Sequence, residues 1–254
     1  MNRIAQLLMI AGLTAAGAQA QSLNVDIDRT SGTGFGTPTL AYTGASGQIG
    51  HWNSMLTSAA VPVNMLALNG TNSGVTCTKQ TGSGSSSSVS GASSDYSKLM
   101  FDYMSTKGMG SKVGVTLNGL DQGLYRVYVY AALPGAAGSW VDTWGFTNHY
   151  SSLVVVKVGG TQAFATFCGG NEVVANTFTK GNNYVVGNIV VGSGALAVDI
   201  ESHTGFTNQE RAALNGFQLV KYTGDTVYVN YAATGANTGQ SWTNAFTNLQ
   251  DALP

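Results

Sequence analysis

From residue 23 onward the chain is a succession of short runs rich in Val, Ile, Tyr and Thr, separated by clusters of Gly, Asn and Ser. This is how strands and their turns read. The runs predict strands over 23–27, 111–117, 123–133, 152–158, 161–168, 184–191, 195–201 and 213–221. In the stretch Tyr125-Arg126-Val127-Tyr128-Val129-Tyr130 the residues alternate between two faces, and both faces are substantially apolar, as expected of a central strand covered on each side. Gly159-Gly160 and the Gly192-Ser193-Gly194 triplet mark turns, read as hairpins. Helical periodicity is scarce. Leu99, Met100, Tyr103 and Met104 fit one short helix within 96–104. The Gly/Ser tract 81–94 is too poor in apolar residues to order itself and reads as a flexible inserted loop. After residue 222 the character changes: a strand over 226–230, a loop, then Trp242, Ala245, Phe246, Leu249 and Leu253 at helical spacing.

The first residues have a different pattern. Arg3 precedes a short apolar core over 4–13, and Ala18-Gln19-Ala20 supplies a small-x-small cleavage pattern, which together predict a cleavable signal peptide over 1–20. No stretch reaches the roughly 20 apolar residues that a membrane-crossing helix needs. The expected mature protein is therefore secreted or held at the cell surface, with no transmembrane segment. Its expected organisation is one β-sandwich over 21–222 and a C-terminal strand-helix segment over 223–254.

Charge narrows the function. With 11 basic and 12 acidic side chains, charged residues make up only 9% of the chain, while 34 glycines and many Ser, Thr and Asn supply polarity without ions. This balance does not suit a nucleic-acid partner. The two cysteines, Cys77 and Cys168, lie in strand-like runs. In an oxidising compartment they are expected to form a disulfide, the alternative being two buried thiols.

Two stretches resemble known families. Residues 227–253, with Ser241-Trp242 and the close Leu249-Gln250-Asp251-Ala252-Leu253, are similar to the opening segment of bacterial right-handed parallel β-helix surface proteins. The resemblance implies the start of a β-helix module, apparently truncated, so that a larger β-helix region is expected to be missing. The runs Gly123-Leu124-Tyr125-Arg126-Val127-Tyr128-Val129-Tyr130, Asn183-Tyr184-Val185-Val186 and Leu214-Asn215-Gly216-Phe217-Gln218-Leu219 resemble strands of galactose-binding-like and malectin-like jelly rolls. That implies an all-β, jelly-roll type β-sandwich and, often, glycan binding, although one fold serves many functions.

A glycan site wants aromatic faces for the sugar ring and amides or carboxylates for its hydroxyls. Trp140, Asp142, Trp144, Asn148 and His149 crowd one short stretch between predicted strands, and their aromatics are either exposed for a ligand or folded into the core. Trp52, after a turn-rich segment, is a further candidate, with a core anchor as its other reading. Asp26 and Asp28 share a face of the first strand, and Asn215 lies on the last. If those strands are neighbours, as in jelly rolls, these oxygens could hold a Ca2+ ion. For catalysis, Asp142, Asp199, Glu201, Glu172, Glu210, His149 and His203 show no spacing that singles out an acid-base pair, and no nucleophile or phosphate-loop motif occurs. The expected function is a non-catalytic carbohydrate-binding-like module whose partner is a polysaccharide or surface glycan. The other reading is a structural or adhesive surface domain that caps a β-helix stalk and takes no small ligand.

Overall fold

The computed structural model describes residues 21–28, 36–80, 85–88, 94–106, 110–132, 139–141, 147–149, 152–169, 177–192, 194–202, 212–222, 228–239 and 241–252, with backbone alone for 85–88, 139–141 and 147–149. In chain order the elements are β1 (Leu23–Asp28), β2 (Trp52–Leu56), β3 (Val63–Leu66), β4 (Asn72–Lys79), β5 (Ser85–Ser88), α1 (Asp95–Phe101), β6 (Asp102–Ser105), β7 (Lys112–Asn118), β8 (Gly123–Tyr130), β9 (Ser139–Val141), β10 (Thr147–His149), β11 (Ser152–Val158), β12 (Thr161–Cys168), β13 (Tyr184–Val191), β14 (Leu196–Ser202), β15 (Ala213–Leu214), β16 (Gly216–Lys221) and α2 (Leu249–Ala252). Residues 1–20, the expected signal peptide, lie outside the described residues. Among the described residues no helix is long and apolar enough to cross a membrane.

Two sheets face each other as a jelly-roll type β-sandwich. One is five-stranded in the order β13-β8-β16-β1-β2, the other six-stranded in the order β12-β11-β14-β7-β4-β3. The first and last long strands, β1 and β16, pair antiparallel through Leu23 opposite Leu219 and Val25 opposite Phe217. Strict alternation sends Leu23, Val25, Ile27, Tyr125, Val127, Val129, Phe217 and Leu219 inward from the first sheet. Val113, Val115, Leu117, Val154, Val156, Leu196, Val198 and Ile200 come inward from the second to form one core. Each such side chain, fully buried, contributes about 1.5–3 kcal/mol. Strand β8 lies between β13 and β16 and is buried on both faces over its last six residues, as its alternation predicts.

Several expectations need correction. Gly159-Gly160, with φ 57 and 82, forms the two-residue turn between β11 and β12, the conformation that right-twisted hairpins favour. The Gly192–Gly194 stretch closes no hairpin, because β13 belongs to the five-stranded sheet and β14 to the six-stranded one; the chain crosses between sheets there. Part of the serine tract is a strand, β5, paired with β6. The run 213–221 breaks at Asn215 into β15 and β16, which sit in different sheets. The amphipathic helix expected after residue 241 is reduced to α2: Phe246 is buried as predicted, but Trp242 is 66% and Leu249 57% exposed.

The disulfide does not form; both cysteines are free and buried. β12 and β4 are separated by β11, β14 and β7, and the row through Cys77 meets β12 at Thr161, the end opposite Cys168. Four strand spacings across and seven residues along put the two about 30 Å apart, against the roughly 7 Å that a disulfide can bridge. Burial pushes both thiols up to about 12.

Candidate functional site

The outward face of the five-stranded sheet is covered by a second layer. Tyr42, Ala45, Tyr96, Leu99, Met100, Phe101 and Phe178 pack on Trp52, Tyr130 and Tyr184. Helix α1 is started by Ser94, whose side chain accepts from Ser97 N–H while the Ser97 hydroxyl caps the Ser94 backbone. Beneath this layer a chain of amides joins the strands. The Gln218 amide donates to Asn24 Oδ1 (2.8 Å) and Thr43 O (3.1 Å), and its oxygen accepts from Ser46 N–H (3.2 Å) and the Tyr130 hydroxyl. Gln48 Nε2 donates to Asn24 Oδ1 (2.6 Å) and Leu23 O (3.1 Å). Gly44, at φ 58, lets the 42–48 loop press onto this layer, since a Cβ there would lie 2.5 Å from the Tyr130 hydroxyl.

Trp52 is one anchor of this layer. It is 2% exposed, and its indole N–H donates to Tyr42 O (3.1 Å), so its ring offers no face to a ligand. The Trp140 stretch stands differently. Strands β9 and β10 pair with Trp140 opposite Asn148 and Ser139 opposite His149, while Asp142 and Trp144 lie outside the described residues.

Asp26 and Asp28 share one face of β1, as predicted, and both are buried there. Asp26 is fully buried, neither of its oxygens has a hydrogen-bond partner, and the adjacent Ile27 N–H is given to Asn215 O (2.9 Å). Burial, then the nearby Asp28 and Asp102, raise its carboxyl well above the usual carboxylate range. Asp28 is raised by burial as well, against the Ser54 hydroxyl that donates to it at 2.6 Å. Asn215, the expected third ligand, is tied into the backbone: its Oδ1 accepts from Ala132 N–H (2.8 Å), and its amide donates to Met100 O (2.8 Å) and Asp102 O (3.4 Å). Among the described residues no group of three or more His, Cys, Asp or Glu converges to hold a metal ion. Nor can these carboxyls serve as a hydrolytic acid and base, because Asp26 and Asp102 are both 0% exposed. Asp199, the other buried acid, is held by Lys157 (2.8 Å) and Gln80 (2.6 Å), in space left by Gly114 on the neighbouring strand.

The C-terminal segment docks on the same outward face. Phe246 is fully buried beside Tyr222, Leu124 and Val229, and the Arg126 guanidinium lies 4.5 Å from its ring centre. Between this segment and the sandwich runs a cleft of about 390 Å³, with Ser22, Ser46, Gln48, Thr238 and Asn244 among its polar walls and Ile49, Leu68 and Val220 among its apolar ones. Its one charged side chain, Lys221, is ion-paired with Asp121 at 2.9 Å. The Thr238 hydroxyl is buried with no hydrogen-bond partner. Ser22 Oγ accepts from Lys221 N–H (3.0 Å) and retains its own proton to donate. The segment also carries the exposed aromatics Tyr231 (89%) and Trp242, the latter set edge-on to Tyr228 with ring centres 5.0 Å apart. Residues so far apart in sequence gave no signal of this cleft.

No protein-family model and no curated protein matches the chain. Among solved structures the chain is similar to the CBM36-1 domain of a multidomain xylanase from the hindgut metagenome of Trinervitermes trinervoides, at 13% identity and TM-score 0.32 over 59% of this chain and 99% of that one. It is also similar to the plant receptor-like kinase FER, at 12% identity and TM-score 0.40 over 82% of this chain and 43% of that one. A third is an exo-β-1,3-galactanase from Phanerochaete chrysosporium, at 17% identity and TM-score 0.34 over 57% of this chain. The matched region spans 27% of the galactanase's length. Identities and scores of this size carry no ligand or activity over to the chain.

Proposed function

We infer that this protein is a non-catalytic carbohydrate-binding-like module, exported and working outside the cell or at its surface. One observation carries the reading: the cleft between the sandwich and the C-terminal segment is electrically neutral, walled by hydroxyls and amides, and contains a buried Thr238 hydroxyl lacking a partner. Such a lining satisfies an uncharged, hydroxyl-rich ligand, and a buried donor left unpaired costs about 1–3 kcal/mol that a ligand oxygen would recover. A cleft of about 390 Å³ falls within the usual size of small-ligand sites. Trp140, Asp142, Trp144, Asn148 and His149 remain a second candidate contact region.

The test is calorimetric titration of the full chain with a panel of soluble neutral polysaccharides, using Thr238→Val, Trp140→Ala and Trp144→Ala variants. Thr238→Val keeps the side chain's shape and should weaken binding roughly 3- to 10-fold, the value of one hydrogen bond. Binding lost only in the Trp140 or Trp144 variants would move the site to that loop. No binding across the panel would sink the reading in favour of a structural surface domain. That second reading has its own support: Phe246 and Arg126 fix the C-terminal segment to the sandwich, as a module joining a β-helix stalk would require.

A further inference from the structure

On the other side of the C-terminal segment lies a second pocket, which shares no residue with the cleft. It has a volume of about 310 Å³ and is walled by Arg126, Phe164, Lys180, Asn188, Gln250 and Asp251, with Gly187 also in its lining. Gly187 matters to its shape: a Cβ there would meet the Phe164 ring at 2.6 Å, so the bare backbone lets that ring lie against β13.

Arg126 is the one buried cation among the described residues. Lys98, Lys157 and Lys221 each pair with a carboxylate at 2.8–3.1 Å. Arg126, only 5% exposed, pairs with none among the described residues. Its guanidinium donates to the Asp251 backbone carbonyl (3.3 Å) and sits over the Phe246 and Tyr128 rings at 4.5 and 5.7 Å, while Nε has no hydrogen-bond partner. A buried guanidinium retains its charge, and its fork of N–H groups matches a carboxylate. The exposed Lys180 adds a second positive charge to the lining, against the single negative charge of Asp251. Asn188 and Gln250 supply amides, and the half-buried Phe164 supplies an apolar wall.

We propose that this pocket binds a carboxylate-bearing sugar ring, a hexuronate, with the carboxylate received by Arg126 and Lys180 and the ring resting between Phe164 and the amides of Asn188 and Gln250. The site does not depend on the neutral cleft. The two are separable because Thr238→Val should leave this second site unchanged.

The experiment is a 15N NMR titration of the full chain with D-glucuronate and D-galacturonate, alongside glucose, galactose and acetate at matched ionic strength. The expected result is saturable shifts of the Arg126 Nε–H, Gly187 N–H and Asn188 side-chain signals with a uronate and none with the neutral sugars. Lys180 is exposed, so Lys180→Glu keeps the fold and should weaken uronate binding at least 10-fold. Arg126→Gln should abolish it, and the Lys180 variant guards against loss of fold in that case. Raising the salt should weaken the interaction. Shifts equal for glucose and glucuronate, no shift at millimolar uronate, or unchanged affinity in Lys180→Glu would each overturn the proposal. Acetate binding as tightly as a uronate would overturn the assignment of a sugar ring.

Discussion

Replacing Phe246 by alanine tests whether one side chain fixes the C-terminal segment to the sandwich. The ring is fully buried, with Tyr222 at 6.0 Å between ring centres and the Arg126 guanidinium at 4.5 Å. Burial of a phenylalanine contributes up to about 3 kcal/mol. A desolvated cation over its face adds about 2, and the aromatic pair about 0.5–1.5. Allowing for partial collapse around the gap, the loss should be about 3–5 kcal/mol. What else holds the segment includes the Asp251 carbonyl, which accepts from Asn188 Nδ2 (2.5 Å) and Arg126 (3.3 Å), and the smaller apolar contacts of Val229 and Ala252. The segment should therefore undock locally while the sandwich core stays folded. Limited proteolysis within 228–252 should accelerate on the order of 100-fold or more, since cleavage follows the open population when reclosing is fast. The urea midpoint of the core should move far less. Leu249→Ala, at a 57% exposed position, is the control and should change stability by no more than about 0.5 kcal/mol. If Phe246→Ala is cut no faster than Leu249→Ala, the anchoring argument is wrong.

Two further outcomes follow from buried groups. Asp26 is raised by burial and by its neighbours, so the folded protein favours its neutral form; stability is fullest below the unfolded carboxylate range and is lost as the pH rises through the raised folded value. Asp26→Asn should accordingly be more stable than the parent at neutral pH and show a flatter dependence of urea midpoint on pH; a variant less stable at pH 7 with an unchanged slope would count against it. Cys77 and Cys168, both pushed up to about 12, should resist a thiol reagent in the native protein and react together on unfolding, with a melting temperature that reductant does not alter.

The inward-facing half of the sandwich was readable because each long strand keeps a period-2 apolar row, as in Leu23, Val25 and Ile27. The pairing of β1 with β16 followed from the jelly-roll resemblance. Several strands escaped notice, β2 and β4 among them. Trp52–Leu56 interposes Asn53 and Ser54, and Asn72–Lys79 is polar outward and broken by Gly74, so neither reads as an alternating run. The polar residues of β1 misled in another way. Asn24, Asp26 and Asp28 alternate with the apolar row yet are all buried, and only tertiary structure reveals that Asn24 is an acceptor for Gln48 and Gln218. The disulfide expectation failed because cysteine number and compartment say nothing of distance across a sheet. The cleft was invisible for a related reason: Ser22, Gln48, Lys221 and Thr238 meet only after the chain has closed.

That closure has a consequence for how the protein is made. The Gln218 amide reaches Asn24 across 194 positions of sequence, and among the described residues β1 is paired with β2 on one edge and β16 on the other. A chain that emerges N-terminus first can set β2 beside β1 early but leaves the other edge of β1 open until β16 appears, while the β11-β12 hairpin can zip as soon as it emerges. The sheet closes only with the last strand, so the hazard lies in the interval before it arrives, when the free edge of β1 is open to capture by another nascent copy.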